Sequence, residues 1–420
     1  MPTEPSAAAG TRREPPEPYL RPADVVARAA LLSRTLVDLQ AETEQRTYYS
    51  EETHAAFTEA GLYRILVPRR YGGYEFGAET FLRAATTIAR GCPSTGWMYL
   101  FGAAHALVVA TLFDEAAQAE LFEVGDFICP AVVAPSGTAE RTAAGDWRID
   151  GTWRYCSGAP YATHFIGHAM ADGGAAPVLF VVARHQFQRL DDWGAQLGLR
   201  GSGSHSIRVE QAVVPDRYVV RAHLSQLDVS GGTPGRTLHR NPEYGGGQLS
   251  FMLLELGALA LGMAQGALDS YEELMLRRQT AFEPVTPRTE DPDYQFHYGE
   301  AVGLIAAAEA ALWHGVGQWR ELAATAAVTR QEELRLAMVS REVVRLCWRA
   351  VAEQMFPTAG SSAVRAGERL ERVWRDLSML QSHAGLGIFL ASMANREYSR
   401  ARFADGTTDS SVDCDPKGTR

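Results

Sequence analysis

Cysteine is scarce in this chain and offers no pairing pattern. Five occur in 420 residues, Cys92, Cys129, Cys156, Cys347 and Cys414, odd in number and widely scattered. With no CxxC pair, neither a disulfide framework nor a thiolate metal site is expected, and free thiols in a reducing cytoplasm are the simplest reading. Positive charge is also short: 40 Lys and Arg against 50 Asp and Glu leave a formal charge of −10. Nucleic acid and anionic membrane surfaces both need clustered cations, so neither is expected as a partner. The most apolar stretch, YLFGAAHALVVATLF (99–113), is too short to span a bilayer and carries His105 at its middle, so a buried helix is expected. The N-terminal MPTEPSAAAGTRREPPEPYL lacks the apolar centre of a signal peptide.

Several catalytic signatures are missing too. There is no GxxxxGK[ST] phosphate loop, no HExxH and no GxSxG elbow. GSGSHS (201–206) lacks the third glycine of a dinucleotide fingerprint and precedes a strand pattern, so nicotinamide binding is not expected. His164 and His168 would share one strand face, but no third ligand lies near, so no metal is expected. With few reactive groups of its own, the chain fits chemistry carried by an organic cofactor.

What is present is a chain that is 46% apolar and 21% charged, enough for one large core or several packed subdomains. Residues 1–21 and 405–420 read as disordered tails. From 22 to 125 the periodicity is helical, with Asp24 as a start signal and Gly61 as a stop. From 126 to 222 short alternating runs suggest a small β-barrel or sandwich, with Asp150-Gly151 as a hairpin signal. A Gly-rich loop, 223–248, has the composition of a lid, binding loop or disordered segment. Residues 249–404 read as a four-helix bundle. The fold class expected is α+β.

Four stretches in that order resemble the acyl-CoA dehydrogenase superfamily of flavoproteins: GCPSTGWMYLFGAAH (91–105), IDGTWRYCSG (149–158), QLGLRGSGSHSIRVEQAVVP (196–215) and WRDLSMLQSHAG (374–385). Dehydrogenases keep a catalytic glutamate just before a glycine near the end of the last segment. Aligned on Gly385, this chain has Ala384 there, which cannot act as a base. The sequence more closely resembles the two-component flavin monooxygenases that act on 4-hydroxyphenylacetate, steroid-derived phenols and dibenzothiophene. Cys92, Ser94, Thr95, Gly96, Trp97, His105, Ser157, Gly158, Trp374, Arg375, Asp376 and His383 fall on that pattern.

The resemblance implies a reduced flavin supplied by a separate NAD(P)H-dependent reductase, molecular oxygen as co-substrate, a C4a-hydroperoxyflavin, and a homotetramer. It implies His383 as a base or as a group bonded to the hydroperoxide, Ser157 at flavin N5, and His105 at the substrate. Trp97, Ala134, Tyr155, Cys156, Ser157 and Arg278 are the expected flavin contacts. An Arg-x-x-Phe-Gly sequence that grips the FAD pyrophosphate in dehydrogenases is broken here, with Gln279 at the arginine position, which favours FMN over FAD. The expected activity is hydroxylation of a small aromatic or polyketide-like molecule. Oxygenation at nitrogen or sulfur, or an acyl-CoA dehydrogenase with a relocated base, are the alternatives.

Overall fold

The computed structural model describes residues 13–174 and 176–404; most of the two expected tails lies outside them. Helix α1 (Pro22–Arg46) starts one turn earlier than expected. Arg21 is the N-cap, Pro22 supplies a first helical residue without a free N–H, and Asp24 reaches back from N3 to the Arg21 backbone N at 3.1 Å. The segment before it is tied down: Arg13 pairs with Tyr71, and Glu17 with Arg28. Helix α2 (Glu51–Glu59) ends where Gly61 turns left-handed at φ 76°. Helices α3 (Gly77–Gly91) and α4 (Pro93–Ala103) form a hairpin, followed by α5 (Ala106–Leu112) and α6 (Glu115–Leu121). The apolar stretch expected as one helix is thus broken between α4 and α5, next to its histidine.

The middle of the chain is a single mixed sheet of seven strands in the order β5-β6-β2-β1-β3-β4-β7. Its strands are β1 (Ala131–Arg141), β2 (Trp147–Trp153), β3 (His164–Ala171), β4 (Ala176–Ala183), β5 (Gln188–Arg189), β6 (Ile207–Val214) and β7 (Val219–Val220). Only the β1–β3 pair is parallel. The hairpin signal at Asp150-Gly151 is not a turn. Those residues lie inside β2, opposite an irregularity in β6 where Gln211 has φ 50° and donates its backbone N–H to Asp150. The β1–β2 turn is closed instead by Thr142 and Asp146 around Gly145, at φ 92°.

The Gly-rich segment carries a short helix, α7 (Pro234–His239), and packs tightly. A Cβ on Gly235 would fall 1.7 Å from the Ala110 carbonyl oxygen, and one on Gly246 would fall 2.1 Å from Trp319. Gly235, Gly246 and Gly247 permit close packing, while Gly231 and Gly232 have open space around them. Beyond it come α8 (Gln248–Arg277), α9 (Pro292–Thr325), α10 (Arg330–Trp348), α11 (Phe356–Ala359), α12 (Arg369–Gln381) and α13 (Ala394–Ala404). Helix α8 is the central post, packed against α3, α9, α10 and α12. Its N-terminus is capped from another helix: the Glu333 carboxylate on α10 accepts from the backbone N–H groups of Leu249 and Ser250.

One apolar core runs through the N-terminal helices and the C-terminal bundle together, while the sheet holds a second around Trp153, Phe165 and Phe180. Inside the first core lies Glu255 on α8, 2% exposed, with Oε2 unpartnered among the described residues. Burial pushes its pKa well above the carboxylate range, so the folded state holds a proton that the unfolded chain releases. Stability from this site is full below the ordinary carboxyl pKa and falls as pH rises, by about 1.4 kcal/mol per unit until the folded pKa is reached. Glu255→Leu should therefore flatten the decline in melting temperature between pH 5 and pH 8. An unchanged slope would refute this.

Candidate functional site

Helix α4 presents Trp97, then Phe101 one turn later, and His105 follows at the break before α5. The Trp97 and Phe101 ring centroids lie 4.9 Å apart, and the His383 ring sits 5.9 Å from Trp97, edge to face. His383 occupies the break between α12 and a π-helical stretch, Gly385–Met393. Such wide turns recur at functional sites, where they re-aim side chains. His383 is exposed at the surface of the chain, yet desolvation by the groups packed around its ring pushes its pKa down to about 4. The Gly385 N–H donates to Nδ1 at 3.2 Å, which occupies that lone pair and leaves the proton of the neutral ring on Nε2.

His105 is also held at Nδ1, but there the ring nitrogen is the donor. Its Nδ1 lies 3.0 Å from the Phe101 carbonyl oxygen and 2.8 Å from that of Cys129, so Nδ1 carries the proton. Burial pushes its pKa down to about 4, against these carbonyl bonds. Both histidines are neutral near pH 7.

The serine expected at the flavin is joined to this group. Trp97 Nε1 donates to Ser157 Oγ at 2.9 Å. Ser157 Oγ lies 2.7 Å from Ser204 Oγ, which lies 2.7 Å from Ser202 Oγ. Two glycines make the approach possible. Gly158 has φ 100°, and a Cβ there would fall 3.0 Å from the Gly102 Cα on α4. A hydroxyl has one proton and two lone pairs. With Trp97 filling one lone pair and Ser204 engaging one more position, Ser157 keeps one position free, as donor or acceptor according to how the relay is oriented.

The remaining expected contacts are more dispersed. Tyr155, at φ 63° and 61% exposed, stands edge-on to Trp193 at 5.6 Å, beside Ser157 in sequence. Cys156 turns its thiol into the sheet core, 3.2 Å from the Trp153 carbonyl, and burial drives its pKa far up, so only its backbone borders the site. Ala134 is exposed on β1, at an irregularity in its pairing with β3. Arg278 bonds to Ala359 O and Ser362 Oγ and makes no contact with the Trp97–Ser157–His383 group among the described residues. His164 and His168 are structural: His164 stacks on Phe127, while His168 bonds Val132 O and receives the Leu224 N–H.

Sequence reasoning missed Ser202, Ser204 and Phe101 as members of the site. The alternating serines of GSGSHS were a visible signal, whereas Phe101 was hidden in an apolar helix.

Trp97 and Phe101 supply aromatic surface beside one hydroxyl of adaptable donor and acceptor character, with Tyr155 two residues before it in the chain. This donor set fits a flat, hydrogen-bonding ring such as a flavin. The fold and this site define an acyl-CoA dehydrogenase-like scaffold. Family models described as acyl-CoA dehydrogenase, N-terminal domain, and acyl-CoA dehydrogenase, C-terminal domain, match residues 27–121 and 254–387.

The oxygenase subunit HsaA of a flavin-dependent monooxygenase from Rhodococcus jostii RHA1 is 30% identical over 366 residues, 83% of this chain and 91% of that protein. The chain belongs to the oxygenase subunits of the flavin-dependent monooxygenases. Among solved structures, XiaF from Streptomyces sp. in complex with FADH2 and glycerol has TM-score 0.82 and 24% identity, covering 91% of this chain and 96% of that one. FMN-bound dibenzothiophene monooxygenase TdsC from Paenibacillus sp. A11-2 has TM-score 0.74 and 21% identity, covering 91% and 97%.

Proposed function

We propose that this chain hydroxylates a small aromatic, natural-product-type substrate, using reduced flavin delivered by a separate NAD(P)H-dependent reductase. The observation that carries the reading is the hydroxyl relay Trp97–Ser157–Ser204–Ser202, set across Trp97 from His383. When bound, reduced flavin and molecular oxygen supply a C4a-hydroperoxyflavin as the oxygenating group. Ser157 meets the N5 edge of the ring with its free hydrogen-bonding position. The aromatic wall of Trp97 and Phe101 excludes water, which would otherwise divert oxygen to peroxide. His383 and His105, both neutral, offer polar atoms to a substrate hydroxyl or to the oxidant. Ala384, beside His383, leaves the dehydrogenase mechanism without a carboxylate at that place. FMN is the proposed flavin because Arg278 is engaged by Ala359 and Ser362 and Gln279 replaces the expected arginine; titration with both flavins decides between FMN and FAD.

The test is rapid mixing. Protein loaded with reduced flavin without oxygen is mixed with oxygen and a panel of phenols. A slowly decaying adduct absorbance and hydroxylated product support the reading. Immediate reoxidation to peroxide with every phenol, together with bleaching of oxidised bound flavin by an acyl-CoA, would overturn it.

A cytoplasmic homotetramer is the proposed assembly. The outer face of α9 exposes Gly299, Val302, Gly303, Ala306, Ala307 and Ala310, a small apolar surface suited to close helix packing. Light scattering on the purified protein should give four times the 45.8 kDa chain mass; a monomeric mass would refute it.

A further inference from the structure

We infer that Asp376 is a positioning residue that holds the Ser202–Ser204–Ser157 relay in place and fixes it relative to His383. The inference rests on the proposed placement of Ser157 at the flavin. Asp376 is 6% exposed and lies on α12, seven residues before His383. Its Oδ1 accepts the backbone N–H of Leu199, and its Oδ2 lies 3.5 Å from Ser94 Oγ at the start of α4. Ser94 Oγ in turn accepts the Gly201 N–H at 3.3 Å.

The loop between these contacts is clamped against α12. Arg375 donates to the Leu197 carbonyl at 2.9 Å, and a Cβ on Gly198 would fall 2.2 Å from the Arg375 carbonyl oxygen. Leu199 has φ 54°, a left-handed conformation disfavoured for leucine, and its carbonyl receives the Ser202 N–H at 3.1 Å. The Asp376 carboxyl therefore stabilises a strained turn whose next residues are the relay serines. Helix α12 thus carries the acceptor that sets the relay, and the histidine that packs on Trp97 follows two residues after its last turn.

The test pairs Asp376→Ala with Ser204→Ala, singly and together, in the full-length protein reconstituted with FMN. Two quantities are read: the visible absorption of bound oxidised flavin, and hydroxylated product per reduced flavin consumed. Misplacing a reacting group by about 1 Å costs on the order of 10²-fold, so Asp376→Ala should lower product yield by that order. It should also shift the flavin absorption in the direction that Ser157→Ala does. In the Ser204→Ala background the same change should add little, because the relay through which it acts is already cut.

Asp376→Asn, whose amide oxygen can still accept from Leu199, should recover most of the yield. Should Asp376→Ala not fold, Ser94→Ala removes the second arm and should give a smaller shift of the same sign. Equal losses from the aspartate change in both backgrounds, or wild-type absorption and yield in Asp376→Ala, overturn the inference. If the wild-type protein oxygenates no phenol, the monooxygenase reading fails separately, and the absorption arm still decides whether Asp376 sets the relay.

Discussion

Replacing Ser157 with alanine should lower hydroxylated product per reduced flavin by about 10²–10³-fold, with the missing turnover appearing as hydrogen peroxide. That range is the usual effect of deleting one pre-positioned hydrogen-bonding group at a reacting centre. The reason it should be large here is geometric. Ser157 Oγ is the single atom joining Trp97 Nε1, at 2.9 Å, to the Ser204–Ser202 pair, at 2.7 Å. Alanine removes the flavin-facing group, leaves the buried Trp97 N–H without its partner, which costs free energy, and leaves Ser204 bonded to Ser202 alone. Flavin affinity should fall far less than product yield, because the aromatic wall is untouched. Rapid-mixing absorbance, product quantification and a flavin titration check the three quantities; a yield within a factor of two of wild type would refute the assignment.

Arg375→Ala should lower stability by about 3–5 kcal/mol, the usual consequence of removing one partner from a buried ion pair. The Arg375 side chain is 10% exposed and contacts Glu44 at 2.8 Å and Glu371 at 2.5 Å, with Arg372 a further partner of Glu44 at 3.2 Å. Burial pushes the Glu44 pKa up, yet the hydrogen bond and charge of Arg375 outweigh it and hold the carboxyl below its ordinary range. A depressed carboxyl pKa gives stability that is present above the unfolded value and is lost as pH falls through the folded one. The deficit of Arg375→Ala should thus be largest at neutral pH and shrink in acid. Replacing Arg375, Glu44 and Glu371 together by Met, Leu and Leu should restore part of the loss, since the two carboxylates that Arg375 partners are removed with it, while Arg372 loses its Glu44 partner. Denaturant unfolding of the three proteins, wild type, single and triple variant, tests this; a loss under 1 kcal/mol for the single variant would refute it.

The helical, strand and helical order was legible because period and turn residues are local properties. Gly61 stops α2 where expected, and β6 starts where the GSGSHS turn ends. Asp150-Gly151 misled because a Gly at positive φ, 156°, inside a bulged strand has the same local composition as a hairpin turn. The Gly-rich segment misled for a related reason: glycine marks close packing as readily as mobility, and only the positions of Ala110, Trp319 and Glu333 distinguish the two. Asp24 was one turn off because Arg21 serves as N-cap through its backbone, with the acid at N3.

At the site, the sequence by itself determined the reactive residue types and their order: Trp97, His105, Ser157, Arg375, Asp376 and His383, on a scaffold without metal, nucleotide or hydrolase motifs. Tertiary structure alone decided which of them touch. Trp97 and His383 are 286 positions apart, yet their rings meet because α4 and α12 both pack on α8. Ser204 gains its role only because glycines at 102 and 158 let one loop close on α4, which puts Ser157 within reach of both Trp97 and the second serine. Hydrogen bonds and ring contacts act over a few ångströms, and separation along the chain does not encode distances of that size.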